Sequence, residues 1–149
     1  MMVRIKLTLI LFIGMITISA CKKTESDEKQ MTDFIKANNI NAVKHESGLY
    51  YQIIKPGSGT FTYPANTKIT IKYEGRLTNG TVFDNGNGQE QTFPLANLIE
   101  GWRIGIPLIQ KGGEIRLIIP PNLGYGSRAV GSIPANSVLD FTIQLINVQ

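Results

Sequence analysis

The chain has 149 residues, 42% of them hydrophobic and 17% charged. That is enough for one domain with a core, alone or with a tail, and too apolar for long disorder. Fifteen Gly and seven Pro favour many short strands over an all-helical bundle. A single Cys, Cys21, and a single His, His45, exclude an internal disulfide framework, a Cys/His zinc site and a Ser–His or Cys–His nucleophile pair in the folded region.

Arg4 and Lys6 precede residues 7–18, in which only Thr8, Gly14 and Thr17 are not strongly apolar. A charged start before a short apolar run is the layout of a bacterial secretory signal. As a helix the run would reach about 18 Å, well short of the roughly 30 Å hydrocarbon core, so residues 1–20 read as a cleaved leader and not as a span. Ile18-Ser19-Ala20-Cys21 resembles the lipobox of bacterial lipoproteins, which implies cleavage before Cys21 and lipid attachment to its thiol. An ordinary signal peptide with a chance Cys is the alternative. Two or more acyl chains would anchor the protein stably where one would not. Lys22-Lys23 follow the Cys where inner-membrane lipoproteins commonly carry Asp, so the sorting pattern points to the outer membrane. Loss of the leader removes Arg4 and Lys6 and lowers the net charge of +4 by two. The remaining basic residues are scattered among acids, without the clustered face a nucleic-acid partner would need.

Residues 22–30 (KKTESDEKQ) hold no apolar side chain and read as a solvated tether within a 21–47 linker. Met31, Phe34 and Ile35 have helical spacing, with Thr32 as N-cap and Asn38-Asn39 as stop. His45, between Lys44 and Glu46, reads as a surface residue. The domain proper is 48–149. Residues 49–55 suit a strand ended by Pro56-Gly57. Residues 67–77 alternate clearly: Ile69, Ile71, Tyr73, Gly75 and Leu77 share one face, and Lys68, Thr70, Lys72, Glu74 and Arg76 the other. Thr78-Asn79-Gly80 turns the chain back through Val82-Phe83-Asp84. Asn85-Gly86-Asn87-Gly88 lacks the Lys-Ser/Thr of a phosphate cradle. Leu98, Ile99, Trp102 and Ile106 form the stripe of one short helix that Pro107 should end. Residues 114–119 and 138–148 are strands, the latter with Leu139, Phe141, Ile143 and Leu145 facing inward. Between them, residues 120–136 form a long Pro/Gly loop of the kind that carries function. The class is α+β, an antiparallel sheet wrapped over one short helix.

The series Tyr73-x-Gly75-x-Leu77-x-x-Gly80-x-x-Phe83-Asp84, Phe93-Pro94-Leu95, Leu98-Ile99-x-Gly101-Trp102, Lys111-Gly112-Gly113, Leu123-Gly124-Tyr125-Gly126, Ile133-Pro134-x-Asn136 and Leu139-x-Phe141 resembles the FKBP-type peptidyl-prolyl cis-trans isomerases. The likeness runs from about Gly48 to the C-terminus and implies a curved antiparallel sheet around a helix. The reaction it implies needs no nucleophile. An X-Pro amide isomerises by rotating about its C–N bond, over a barrier of about 18–20 kcal/mol that comes from lost resonance. The twisted state has less charge separation than the planar one, so a dry aromatic pocket binds it preferentially, and a donor to the amide adds to that difference.

Carried over residue by residue, the resemblance implies Trp102 as pocket floor and Tyr73, Phe83, Leu98, Ile99 and Phe141 as walls, with Ile133 in the lip. Asp84 would be the lone carboxylate at the rim, ordering the backbone and Tyr73. Tyr125 would donate its hydroxyl to a substrate carbonyl, and the Ile99 N–H would bind another. Phe93 is a wall or a core residue, because the family's Phe-x-Phe pair has Gln91 at its first position. The short 126–133 loop, with Arg128-Ala129-Val130, alters the outer lip. The implied partners are proline-containing segments of exported envelope proteins and macrolide inhibitors of the family. No metal, nucleotide or redox cofactor is implied. A module that holds proline-containing segments with little catalysis is the competing reading.

Overall fold

The computed structural model describes the backbone of residues 15–149 and the side chains from Lys23 onward. The expected leader and the Cys21 thiol lie outside the residues so described.

Alternation along the sequence becomes a two-faced sheet. In β3 (Lys68–Leu77) Ile69 and Ile71 are fully buried, whereas Lys68, Lys72 and Arg76 are exposed. The inward residues of β7 (Leu139–Val148) are all buried, Leu139, Ile143 and Leu145 fully. β7 pairs antiparallel with β3 on one side (Tyr73 opposite Ile143, Gly75 opposite Phe141) and with β6 (Glu114–Ile119) on the other, Leu117 opposite Phe141. Beyond β6 lie β2 (Tyr50–Lys55) and, at that edge, the two-residue β1 (Val43–Lys44). β4 (Val82–Asp84) forms the opposite edge, while β5 (Gln91–Pro94) pairs with the first half of β3. Pro94 is tolerated at the very end of this short strand, where a missing N–H costs little.

The inner face is covered by α2 (Glu100–Gly105), which buries Trp102. Gly105 is what lets its backbone settle on β6, since a Cβ there would stand 2.5 Å from a Leu117 methyl. The expected helical stripe is shorter than its spacing suggested. Leu98 and Ile99 are extended (ψ 167° and 151°) and lead into the helix. With Pro107 at the second position the chain tightens into a 3-10 turn over Ile106–Leu108, because proline supplies no N–H for a further α-turn.

The outer face carries α1 (Met15–Ala37), and this corrects the tether reading. The 22–30 segment is helical, and Thr32 is no cap: its hydroxyl donates to the Lys29 carbonyl at 3.0 Å inside the helix. A segment without apolar residues has nothing to bury, but its Glu, Lys and Gln residues are good helix formers, and it docks through polar contacts. Tyr50 donates to Glu28 at 3.3 Å, Lys44 pairs with the same carboxylate, Gln30 Nε2 donates to the Thr78 hydroxyl at 3.3 Å, and Lys23 Nζ donates to Asn136 Oδ1. The apolar half of α1 behaves as its spacing predicts: Met31 joins Ile40, Tyr50, Ile118 and Val138 in a small second core. Asn39, left-handed at φ 52°, ends the helix, with the Ile40 N–H returning to the Ile35 carbonyl at 3.0 Å. None of the described helices is long and apolar enough to cross a membrane. Beneath the helix, buried Asp140 accepts a two-pronged bond from Arg116 at 2.9 and 2.8 Å.

Candidate active site

On the inner face a cavity of about 180 Å³ opens where β3, β4, β5, the lead-in to α2, the loop after β6 and β7 converge. Trp102 is 5% exposed. Its ring meets Tyr73 at 5.1 Å (75°) and Phe141 at 5.0 Å (86°), and Tyr73 and Phe141 approach each other at 6.4 Å. The two contacts of Trp102 are edge-to-face, the geometry the ring quadrupoles favour, and the third is tilted at 54°. Leu98, Ile99 and Phe93 complete the apolar lining. The Trp102 indole N–H is buried with no hydrogen-bond partner among the described residues, one uncommitted donor in an otherwise apolar wall.

Two tyrosine hydroxyls and one carboxylate supply the polarity. Asp84 Oδ2 accepts from the Tyr73 hydroxyl at 2.7 Å, and Oδ1 accepts from the Gly86 N–H at 3.0 Å. The carboxylate thus locks both the Tyr73 ring and the turn that follows β4. Burial, then the bond to Asp84, pushes the Tyr73 hydroxyl far above its ordinary pKa; burial, then the Asp84 charge, pushes Tyr125 up as well. Both therefore stay protonated at neutral pH and remain donors. Ile99 gives its carbonyl to the N–H groups of Trp102 and Arg103 at 3.0 and 3.2 Å, which opens α2.

Of the residues expected here, Tyr73, Asp84, Phe93, Leu98, Ile99, Trp102, Tyr125 and Phe141 line one cavity. Phe83 and Ile133 are not among them. Phe83 buttresses the wall from its own position, edge-on to Phe141 at 5.4 Å. Ile133 is 6% exposed and packs into the main core, while its backbone bridges Val130 to close the tip of the loop. Phe93 is thus a wall despite the departure two residues before it. Gln91, an unexpected contributor, directs its amide Nε2 to the Gly86 carbonyl at 3.3 Å and holds the same turn that Asp84 holds. A larger hollow of about 460 Å³ lies between Phe34 of α1 and the outer face, but Arg116 and Asp140, Glu74 and Arg76 pair with each other in its walls.

A family model for FKBP-type peptidyl-prolyl cis-trans isomerases matches residues 61–146, the stretch that builds this cavity. The chain belongs to the FKBP family. Among curated relatives, FkpA of Buchnera aphidicola subsp. Schizaphis graminum is 48% identical over 108 residues, covering 71% of this chain and 43% of the relative. FkpA of Escherichia coli K12 is 40% identical over 105 residues, covering 69% and 38%. This FKBP chain therefore spans less than half the length of those two relatives. The crystal structure of Escherichia coli FkpA superimposes with a TM-score of 0.74 at 34% identity, covering 89% of this chain and 66% of that one. A peptidyl-prolyl cis-trans isomerase from Pseudomonas syringae pv. tomato gives a TM-score of 0.71 at 30% identity, with 85% and 96% covered. The FKBP-like sheet and short inner helix are common to these structures.

Proposed function

We propose that this protein is an FKBP-type isomerase that accelerates rotation about X-Pro bonds in exported envelope proteins, held at the outer membrane by lipid on Cys21. The observation that carries the catalytic part is the edge-to-face box of Tyr73, Trp102 and Phe141, with the protonated Tyr125 hydroxyl and the Tyr73–Asp84 pair at its side. An apolar box of this size takes a proline ring and excludes water, and the excluded water is what stabilises the planar, polar amide. Tyr125 and the Ile99 N–H hold the flanking carbonyls, so that binding energy favours the twisted bond over either planar isomer. The envelope and lipid part is supported by the leader-like residues 1–20 and the Ile18-Ser19-Ala20-Cys21 pattern.

The test is cis-to-trans isomerisation of a short X-Pro peptide by the purified protein, with and without a macrolide FKBP inhibitor. Acceleration that the inhibitor abolishes supports the reading. No acceleration by folded protein overturns it in favour of a module that only holds proline-containing segments. For the anchor, Cys21→Ser should move the protein out of the membrane fraction; retention there would refute lipid attachment at that residue.

A further inference from the structure

The loop that presents Tyr125 is held from outside the catalytic domain. Its start is tied by the Gly126 N–H to the Pro121 carbonyl at 2.8 Å, and its end is tied to its start by the Asn136 N–H, which donates to the Gly126 carbonyl at 2.8 Å. Asn136 adopts a left-handed conformation, φ 59°, which turns the chain there and leaves its side chain to bond elsewhere. That bond goes to α1, where Lys23 Nζ donates to Asn136 Oδ1. The same helix runs beside the start of the loop: Pro120 and Asn122 share a hollow of about 240 Å³ with Asp27 and Met31. Helix α1 thus reaches residues on either side of the cavity hydroxyl in sequence, Pro120 and Asn122 before Tyr125 and Asn136 after it. The path from Lys23 to Tyr125 is one side-chain bond, one backbone bond and one peptide unit.

We infer that Lys23 and the Asn136 side chain are positioning residues for the isomerase site, a brace through which the linker helix sets the Tyr125 hydroxyl. The inference rests on the role given to Tyr125 above. A loop of this length, closed mainly by turns, samples alternatives that move Tyr125 relative to Trp102 and Phe141. Each tie to a fixed helix narrows those alternatives before substrate arrives. The linker is then part of the enzyme.

The experiment measures kcat/KM for X-Pro peptide isomerisation in the full chain carrying Lys23→Met, Asn136→Gly or both. Asn136→Gly is chosen because glycine tolerates the left-handed turn while removing the side chain that meets Lys23. Each variant should lower kcat/KM about threefold, the size expected for one exposed hydrogen bond to a charged group. The double variant should be no worse than either single one, and Lys23→Arg should restore the rate. Introduced into Tyr125→Phe, Lys23→Met should have no further effect, whereas a change that merely loosened the fold would still slow the enzyme. Amide exchange across 124–136 should quicken in each slowed variant. If Tyr125→Phe is slow but Lys23→Met and Asn136→Gly are not, the brace is refuted and the site stands. If Lys23→Met slows Tyr125→Phe as much as the parent, the brace is refuted as a route through Tyr125. If Tyr125→Phe retains full turnover, the site assignment falls and the brace falls with it.

Discussion

Gly75→Ala adds one methyl group at the point where the cavity wall is tightest. Gly75 lies in β3 opposite Phe141 of β7, and an added Cβ would stand 2.5 Å from Phe141 Cε1 and 2.6 and 2.7 Å from two Phe83 ring carbons. Carbon atoms in contact need about 3.5–4.0 Å, so both rings must retreat by roughly an ångström. Neither ring is free to do so, because Phe141 is wedged against Trp102 and Phe83 against Phe141. Overpacking of this kind costs about 1–3 kcal/mol. Replacing glycine in a strand gains back about 0.5–1 kcal/mol of backbone entropy, for a net loss of about 0.5–2 kcal/mol. With a urea slope of about 2 kcal/mol/M for a domain of this size, the midpoint should fall by about 0.3–1 M. Trp102 is the only tryptophan in the chain, so its emission reports both the unfolding and the repacking of the wall. The variant should show altered native emission and a lower kcat/KM at temperatures where it is fully folded. Phe83→Leu introduced into Gly75→Ala should recover part of the stability, a favourable coupling of more than about 0.5 kcal/mol. Equal or higher stability with unchanged Trp102 emission would refute the argument that glycine is needed at position 75 for ring packing.

Asp84→Ala should lower turnover about tenfold by stranding the Tyr73 hydroxyl and the Gly86 N–H, and Tyr125→Phe should lower it with little loss of stability; peptide isomerisation and urea unfolding measured together separate the two effects. Burial pushes Tyr63 up to about 12 from its ordinary value of 10 and raises Tyr73 and Tyr125 in the same direction. The unfolded chain therefore loses these protons first as pH rises. The contribution of these tyrosines to stability should be complete below about pH 9 and decline as pH climbs past 10, more shallowly in Tyr63→Phe; urea midpoints across a pH series would show it, and a rise above pH 10 would contradict it. Asp140→Ala leaves Arg116 without its two-pronged partner in a half-buried setting and should cost about 2–3 kcal/mol, most of it recovered when Arg116→Met is added, as chemical denaturation would reveal.

Strands with one wet face were readable from their alternation alone: residues 67–77 anticipate β3 nearly to the residue, and every member of the inward set of 138–148 is buried in β7. The helix was harder at both ends. Nothing in KKTESDEKQ distinguishes a free polar tether from a helix that docks by hydrogen bonds, because periodicity records only apolar burial, and Glu28, Gln30 and Lys23 find their partners far along the chain. The cavity was legible through its ordered motif series, down to the Tyr73–Asp84 pair. What the motif could not convey was depth. Phe83 and Ile133 are as apolar and as well spaced as the residues that line the cavity, and only the packing of half-buried Phe83 on Phe141 and of Ile133 in the core sets them beside it. The Arg116–Asp140 bridge was invisible for a related reason: alternation assigns both residues to a solvated face, which α1 then covers.

The order of strands, β1-β2-β6-β7-β3-β4, puts the last strand in sequence at the centre of the sheet. Until residues 139–148 have left the ribosome, β6 and β3 each lack their main partner, and Phe141 is missing from the box it helps to close. Helices can form as they emerge, but this sheet has a single late step that joins its two halves across a long separation in sequence. Addition of β7 between β6 and β3 is therefore the step that joins the two halves of the sheet and, by bringing in Phe141, completes the cavity.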